Sequence, residues 1–195
     1  MKPQFPAWVR QLLDTDSEVV YVLDAKLSIA ACNRAWDNFA AANGGVGISA
    51  ADVVGQPVFD FIPPVLVAFY QQKYDAARRT GVWVGFDYDC SSPATYRQFH
   101  MALQTLENGA IVVVNSLRPH RISPFARDKA AEPASVYFSS DGVITMCAHC
   151  RRTQHPQFSE VWEWVPQFVS HPGDKVSHGL CPRCLAQHYP EYRDI

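Results

Sequence analysis

The sequence predicts an α+β fold, an antiparallel five-stranded sheet with helices on one face, followed by a small cysteine-rich module. Three observations predict it. Over the first 117 residues, β-rich and amphipathic runs come in the order strand, strand, short helices, long helix, strand, strand, strand. The last three of these strands are joined by short turns, and for such neighbours antiparallel pairing is the economical solution. Finally, four of the six cysteines lie in the last quarter of the chain as two C-x-x-C pairs, Cys147/Cys150 and Cys181/Cys184.

Ahead of the sheet, within residues 1–16, PAWVRQLLDTD makes a short amphipathic helix with Trp8, Val9, Leu12 and Leu13 on one side. That side either packs on the chain's own sheet or is left for a second chain. EVVYVLDAKLSIAACN is two β-rich runs around DAK, a hairpin. Asn33 caps NRAWDNFAAAN, where Trp36, Phe39 and Ala40 form an apolar stripe and Asn43-Gly44 stop the helix. PPVLVAFYQQKYDAARRTG opens on proline and sets Leu66, Phe69, Tyr70, Tyr74 and Ala77 at helical spacing. Arg78 and Arg79 sit in its last turn, and Gly81 closes it.

VWVGFDYDC alternates, with Val82, Val84, Phe86, Tyr88 and Cys90 on one face. YRQFHMALQTL buries Phe99, Met101 and Leu103, and GAIVVVNSL is nearly all apolar. RPHRISPFARDKAAEPA, residues 118–134, is rich in proline, basic residues and alanine, has no period, and reads as a linker. In residues 135–195, SVYFSSDGVITM reads as a strand or hairpin turning at Asp141-Gly142. FSEVWEWVPQFV reads as a short helix capped by Ser159 and limited by Pro166.

Composition narrows the function. The 195 residues suit one domain plus a small appendage. A hydrophobic content of 48% and a charged content of 18% imply a compact core. The net charge of −2 provides no global basic field, so nucleic acid is not the expected partner. MKPQFPAWVRQLLDTD lacks the apolar run of a signal peptide, and no segment has about 18 consecutive apolar residues. A cytoplasmic chain with no membrane partner is therefore expected. Paired cysteines in that compartment point to metal or redox chemistry. There is no Gly-rich phosphate loop, G-x-S-x-G elbow or H-E-x-x-H motif. Asp87 and Asp89 read as an exposed strand face, so no catalytic residue and no enzymatic activity is assigned.

VVYVLDAKLSIAACNRAWDNFA, then VVGQPVFDFIP, then FDYDCSSPATYRQFHMALQTLENGAIVVVNS occur in that order across residues 17–117. This stretch resembles a PAS domain, the sensory α/β fold common in bacterial signalling proteins. The resemblance implies a sensor or signalling role, a small ligand held between sheet and helices, and a homodimer in which the N-terminal helix is a contact. ACNRAW does not match the N-C-R-F-like motif of the flavin photoreceptors, so light sensing is not implied. The residues outside this stretch are too few for a kinase, a cyclase or a helix-turn-helix, which leaves output to a signalling partner. The last fifty residues resemble a cysteine-rich segment of some bacterial sensor proteins. The resemblance runs through Cys147, Cys150, Arg151, Trp162, Ser177, His178, Gly179, Cys181, Pro182, Cys184, Tyr189, Pro190 and Glu191.

The two C-x-x-C pairs, 30 residues apart, suit a tetrahedral four-cysteine zinc site in which each pair supplies two thiolates. Cys147 and Cys150 follow a strand, whereas Cys181 and Cys184 open a helix with Pro182 in its first turn. Strand knuckle plus helix start is the arrangement of zinc-ribbon or treble-clef-like modules. Such a site is structural, because a segment this short cannot assemble a large core alone. The alternative is a thiol-based redox switch, in which the two pairs release zinc on oxidation. His149 and His178 are substitute ligands only if a cysteine is spared, and Arg151, Arg152 and Arg183 would offset the thiolate charge. Cys32 and Cys90 read as small core residues, and His100 lies on the polar face of its strand. Trp36, Phe69, Tyr70, Phe86, Tyr88, Phe99 and Met101 line a ligand cavity or fill a core; the ligand is not named by the sequence.

Overall fold

A computed structural model describes residues 4–90, 97–118 and 132–190. Most of the expected 118–134 linker lies outside them, as do the SSPATY stretch and Glu191. The chain divides into two compact units: Met1–Asp87 with Phe99–Arg118, and Tyr88–Gln98 with Pro119–Ile195.

In the first unit, α1 (Ala7–Thr15) precedes the hairpin β1 (Val19–Leu23) and β2 (Ile29–Cys32). Next come α2 (Arg34–Ala42), the single turn α3 (Ala50–Val53), two 3-10 turns and the long helix α4 (Val67–Thr80). Strands β3 (Val84–Asp89), β4 (Gln98–Thr105) and β5 (Ile111–Leu117) complete the sheet. Its order is β2-β1-β5-β4-β3, and β1 pairs antiparallel with both β2 and β5. This is the PAS-like architecture that the resemblance implied.

Strand alternation sorts the helices onto the two faces. Val20 and Val22 of β1, with Val112 of β5, bury against Val9 of α1, and Leu12 and Leu13 pack on the same cluster. Tyr21 points the other way and meets Trp36 of α2 edge-to-face, at 5.4 Å between ring centroids. Phe99 meets Phe39 of α2 on that second face. The expected layer of helices is therefore present, and α1 covers part of the opposite face. Its apolar side is divided: Val9 is buried on the sheet, while Trp8 is 41% exposed beside Trp83.

Leu66, Phe69, Tyr70, Tyr74 and Ala77 are all buried, as the helical spacing predicts. Gly81 ends α4 in the left-handed region at φ 65°, a conformation that glycine adopts at no steric cost. One expectation fails here. Val82 is not on a buried strand face; it is 62% exposed, because the left-handed turn at Gly81 delays the strand until Val84.

The second unit is a four-stranded sheet in the order β8-β7-β6-β9, from β6 (Ile144–Cys147), β7 (Thr153–His155), β8 (Phe158–Glu163) and β9 (Val176–Gly179). α5 (Pro166–Ser170) precedes β9 and α6 (Pro182–His188) follows it. Tyr137, Ile144, Met146, Val165 and Phe168 form its apolar core. Two expectations are corrected here. The FSEVWE run is not a helix but β8, paired with β7 through Thr153↔Glu163 and Gln154↔Trp162. Pro166 opens the short helix α5 instead of ending one, as suits a residue with no N–H to contribute. Likewise the residues before the Asp141-Gly142 turn are not a strand: Ala134–Tyr137 is a 3-10 turn, held where the Tyr137 hydroxyl donates to the Glu163 carboxylate. The turn itself forms, with Gly142 at φ 70° donating its N–H to the Ser139 carbonyl at 2.9 Å.

Candidate metal centre

Cys147 ends β6, and the chain reverses at once. The Arg151 N–H donates to the Cys147 carbonyl at 2.9 Å, and the Cys147 N–H to the Arg152 carbonyl at 2.7 Å. The reversal requires Arg151 to take φ 61°, the left-handed region that most side chains avoid. β9 runs parallel to β6 with Cys147 opposite Gly179, and the Ala148 N–H donates to the Gly179 carbonyl at 2.9 Å. Two residues past Gly179, Cys181 caps α6: its sulfur accepts the Cys184 N–H at 3.4 Å. Parallel pairing thus delivers both C-x-x-C pairs to one end of the sheet.

The four sulfurs of Cys147, Cys150, Cys181 and Cys184 lie within 4.8 Å of one another, with Cys150 Sγ and Cys181 Sγ 3.6 Å apart. Bonds of about 2.3 Å to a tetrahedral zinc ion would place sulfurs about 3.8 Å apart, so the set fits that ion. All four cysteines are at most 2% exposed, and Trp162 packs against them. Four buried cysteine ligands would leave no coordination position for a substrate, which is the closed arrangement of structural sites.

The cluster's acid–base chemistry favours a cation. The hydrogen bond from Cys150 holds the Cys147 thiol below its ordinary pKa, and bonds from Cys147 and Cys150 do the same for Cys181. Their proton-sharing partners are pushed up: Cys150 by its bond to Cys147, and Cys184 by bonds to Cys147 and Cys150. Four thiolates so close cannot all ionise without a compensating positive charge. A divalent ion held there would supply that charge and deprotonate all four. Arg152, only 4% exposed, adds its guanidinium, with Nη1 3.7 Å from Cys150 Sγ.

Neither His149 nor His178 belongs to the four-sulfur cluster. His149, inside the first knuckle, is buried and stacks on His188 at 4.1 Å and 15° between rings. Burial, with the neighbouring His188, lowers its pKa to about 4. His178 is exposed on β9. Cys32 and Cys90 also lie outside the cluster. Burial pushes the Cys32 thiol up to about 12, with Asp37 adding to the effect, and burial raises Cys90 as well.

The aromatic residues expected to line a cavity or fill a core come together in part. Phe69, Tyr70 and Phe86 meet edge-to-face, with centroids 5.4 to 6.0 Å apart, and Lys73 Nζ lies 4.8 Å from the centre of the Phe69 ring. Phe99 and Met101 are buried, while Trp36, Phe86 and Tyr88 are half-buried.

The sequence did not reveal a polar cluster on the other face of the sheet. His100 Nδ1 donates to Asp87 Oδ1 at 2.6 Å, and Arg118 Nη2 donates to the same oxygen at 3.1 Å. The carboxylate can only accept, which fixes the His100 proton on Nδ1. These residues come from three strands or their ends, so only strand register could have joined them.

No family model matches the chain, and no curated protein matches it. Among solved structures, it is similar to the PAS domain of the Cronobacter turicensis quorum-sensing receptor RpfR in complex with C12:0, at 16% identity and a TM-score of 0.41. That likeness covers 54% of this chain and 97% of that one. It is also similar to the PAS domain of an HTR-like protein from Haloarcula marismortui, at 16% identity and TM-score 0.40, covering 57% of this chain and 90% of that one. A third likeness is to the PAS domain of Bordetella pertussis BvgS, at 18% identity and TM-score 0.37, covering 55% and 77%.

Proposed function

We propose that the chain is a non-catalytic sensory and protein-interaction module of PAS type whose cysteine-rich module, residues 135–195, is folded around a structural zinc ion. In this reading residues 17–117 receive the signal, either a small molecule against the aromatic residues of the helical layer or a protein contact. The zinc-held unit gives a signalling partner a rigid surface. The chain works in the cytoplasm as a homodimer, with the exposed Trp8 and Trp83 at the contact. In support, no helix among the described residues is long and apolar enough to cross a membrane.

One observation carries the reading: four buried sulfurs within 4.8 Å of one another, two from a strand end and two from a helix start. In small metal-held folds, the metal contributes about 10–16 kcal/mol of apparent binding energy, enough to decide whether a unit folds. A native mass spectrum of the reduced protein is expected to carry one zinc per chain. Cys147→Ser or Cys181→Ser should abolish that mass and open the second unit to proteolysis, while residues 17–117 keep their structure. A mutant tail that stayed protected would end the structural-zinc reading.

The sulfur distances also favour a second reading. With Cys150 Sγ and Cys181 Sγ 3.6 Å apart, a small movement would permit a disulfide between the pairs. Mild oxidant would then release zinc and change the oligomeric state or partner.

A further inference from the structure

Four sulfurs that share one metal ion differ in chemistry when their hydrogen bonds differ. Around this cluster the N–H donors are unevenly distributed. Cys147 Sγ accepts the backbone N–H of Cys181, and Cys181 Sγ accepts that of Cys184, each at 3.4 Å. Cys150 Sγ lies 3.7 Å from Nη1 of the buried Arg152. Among the described residues, no backbone or side-chain N–H donates to Cys184 Sγ. Cys184 also lies in the first turn of α6, directly after the exposed Pro182 and Arg183.

A metal-bound thiolate is already deprotonated, so proton affinity no longer ranks the four sulfurs. Hydrogen bonding does. An N–H donor draws charge from the sulfur, and that stabilisation is lost when the sulfur gives its electron pair to an electrophile. The sulfur without a donor keeps the most charge and has the lowest barrier.

On the zinc reading given above, we propose that Cys184 is the reactive sulfur of the metal-bound tetrathiolate, a modification site for soft carbon electrophiles such as alkyl halides, epoxides and activated alkenes. With iodoacetamide the balance is simple. The Cys184 Sγ pair forms a C–S bond to the methylene carbon, the C–I bond breaks, and iodide leaves with its electrons. No proton is transferred and nothing is oxidised. The thiolate becomes a neutral thioether, a poor zinc ligand, and the negative charge of the site falls by one. The metal then opens to a competing chelator, and α6 loses the anchor in its first turn.

The experiment uses the full chain, reduced and loaded with zinc, with stoichiometry confirmed by native mass spectrometry. Limiting iodoacetamide is added with a chromophoric zinc chelator, and the alkylated residues are mapped by peptide mass spectrometry. Cys32 and Cys90 are mapped separately in the same digest. Cys184 is expected to react about tenfold ahead of each of the other three ligands, the ratio set by one net hydrogen bond to a charged group. Zinc release should follow the modification of Cys184 in time. Arg152→Met should raise the alkylation rate of Cys150 by about the same factor while leaving that of Cys184 unchanged, a redirection that exposure alone would not produce.

Equal rates at the four ligands, or first modification at Cys147, Cys150 or Cys181, would overturn the assignment and leave the zinc reading intact. A chain that takes up no metal would overturn both. Should Arg152→Met fail to fold, the order of modification in the unaltered chain decides alone.

Discussion

Asn33 has each hydrogen-bonding atom of its amide engaged. Its Oδ1 accepts the N–H groups of Val20 and Trp36 at 3.1 Å, and its Nδ2 donates to the carbonyls of Glu18 at 2.7 Å and Asp16 at 3.3 Å. The side chain is 2% exposed, so no water can replace these partners. Asn33→Ala should cost about 3 kcal/mol in denaturant unfolding of the first unit, more than a helix cap alone, because a buried N–H is also orphaned. The cap was legible in the sequence; the bonds back to residues 16–20 were not, because they require the chain to return. Asp87 makes a similar point. The His100 hydrogen bond, with help from Arg118, holds its carboxyl below the ordinary 3.8. A depressed folded-state pKa means the stabilisation is complete above the ordinary carboxylate value and is lost as pH falls through the folded value. With 40% of the side chain exposed, the gain in stability is small, so the pKa is the quantity to measure. By NMR, His100→Ala should move the Asp87 midpoint upward. Gly85→Ala should do so in part, since a Cβ there would collide with His100 Nε2 and displace the ring.

At the scale of elements, the helices were more legible than the strands of the second unit. α4 follows from apolar spacing and a closing glycine, both local signals. From sequence alone the β8 run reads as a helix, capped by Ser159 and limited by Pro166. Pairing with β7 decides the matter, and that is a tertiary term. The apolar side of α1 suits either the chain's own sheet or a second chain; in the structure Val9 packs on the sheet and Trp8 is exposed. Val9 is fully buried against Val20, Val22 and Val112, so Val9→Ala should cost about 2 kcal/mol of unfolding free energy in dilute solution. An unchanged stability would mean that α1 is seated on the sheet only in a larger assembly. In the second unit, Trp162 packs on the sulfur cluster, and its indole N–H donates to the Ser159 carbonyl at 3.1 Å. Zinc removal by a strong chelator should red-shift tryptophan emission as this ring becomes wet, and zinc should restore it. The same titration on Trp162→Phe separates this residue from the other four tryptophans.

At the scale of the molecule, each unit has its own core, one of valines and aromatics and one built on Tyr137, Ile144 and Phe168. Unfolding should therefore show two transitions, and a chelator should lower only the transition of the second unit, as read by calorimetry with and without zinc. A single transition that shifts as a whole would mean that the two units unfold together. The four cysteines that come together could be read from residue spacing, because each C-x-x-C pair is a local signature. What the sequence could not show is how pairs 30 residues apart find one another. That is the work of β9, which is too short and too exposed to be recognised as a strand on its own. Its parallel register with β6 acts as a ruler. The distance from Gly179 to Cys181 is fixed by it, whereas the excursion from β7 to α5 begins and ends without touching that measure. The module should accept extra residues at the exposed Pro156-Gln157 turn and retain zinc, yet lose it when a single residue is added between Gly179 and Cys181. The permissive and forbidden sites for chain-length change are thus separated by fewer than 25 positions.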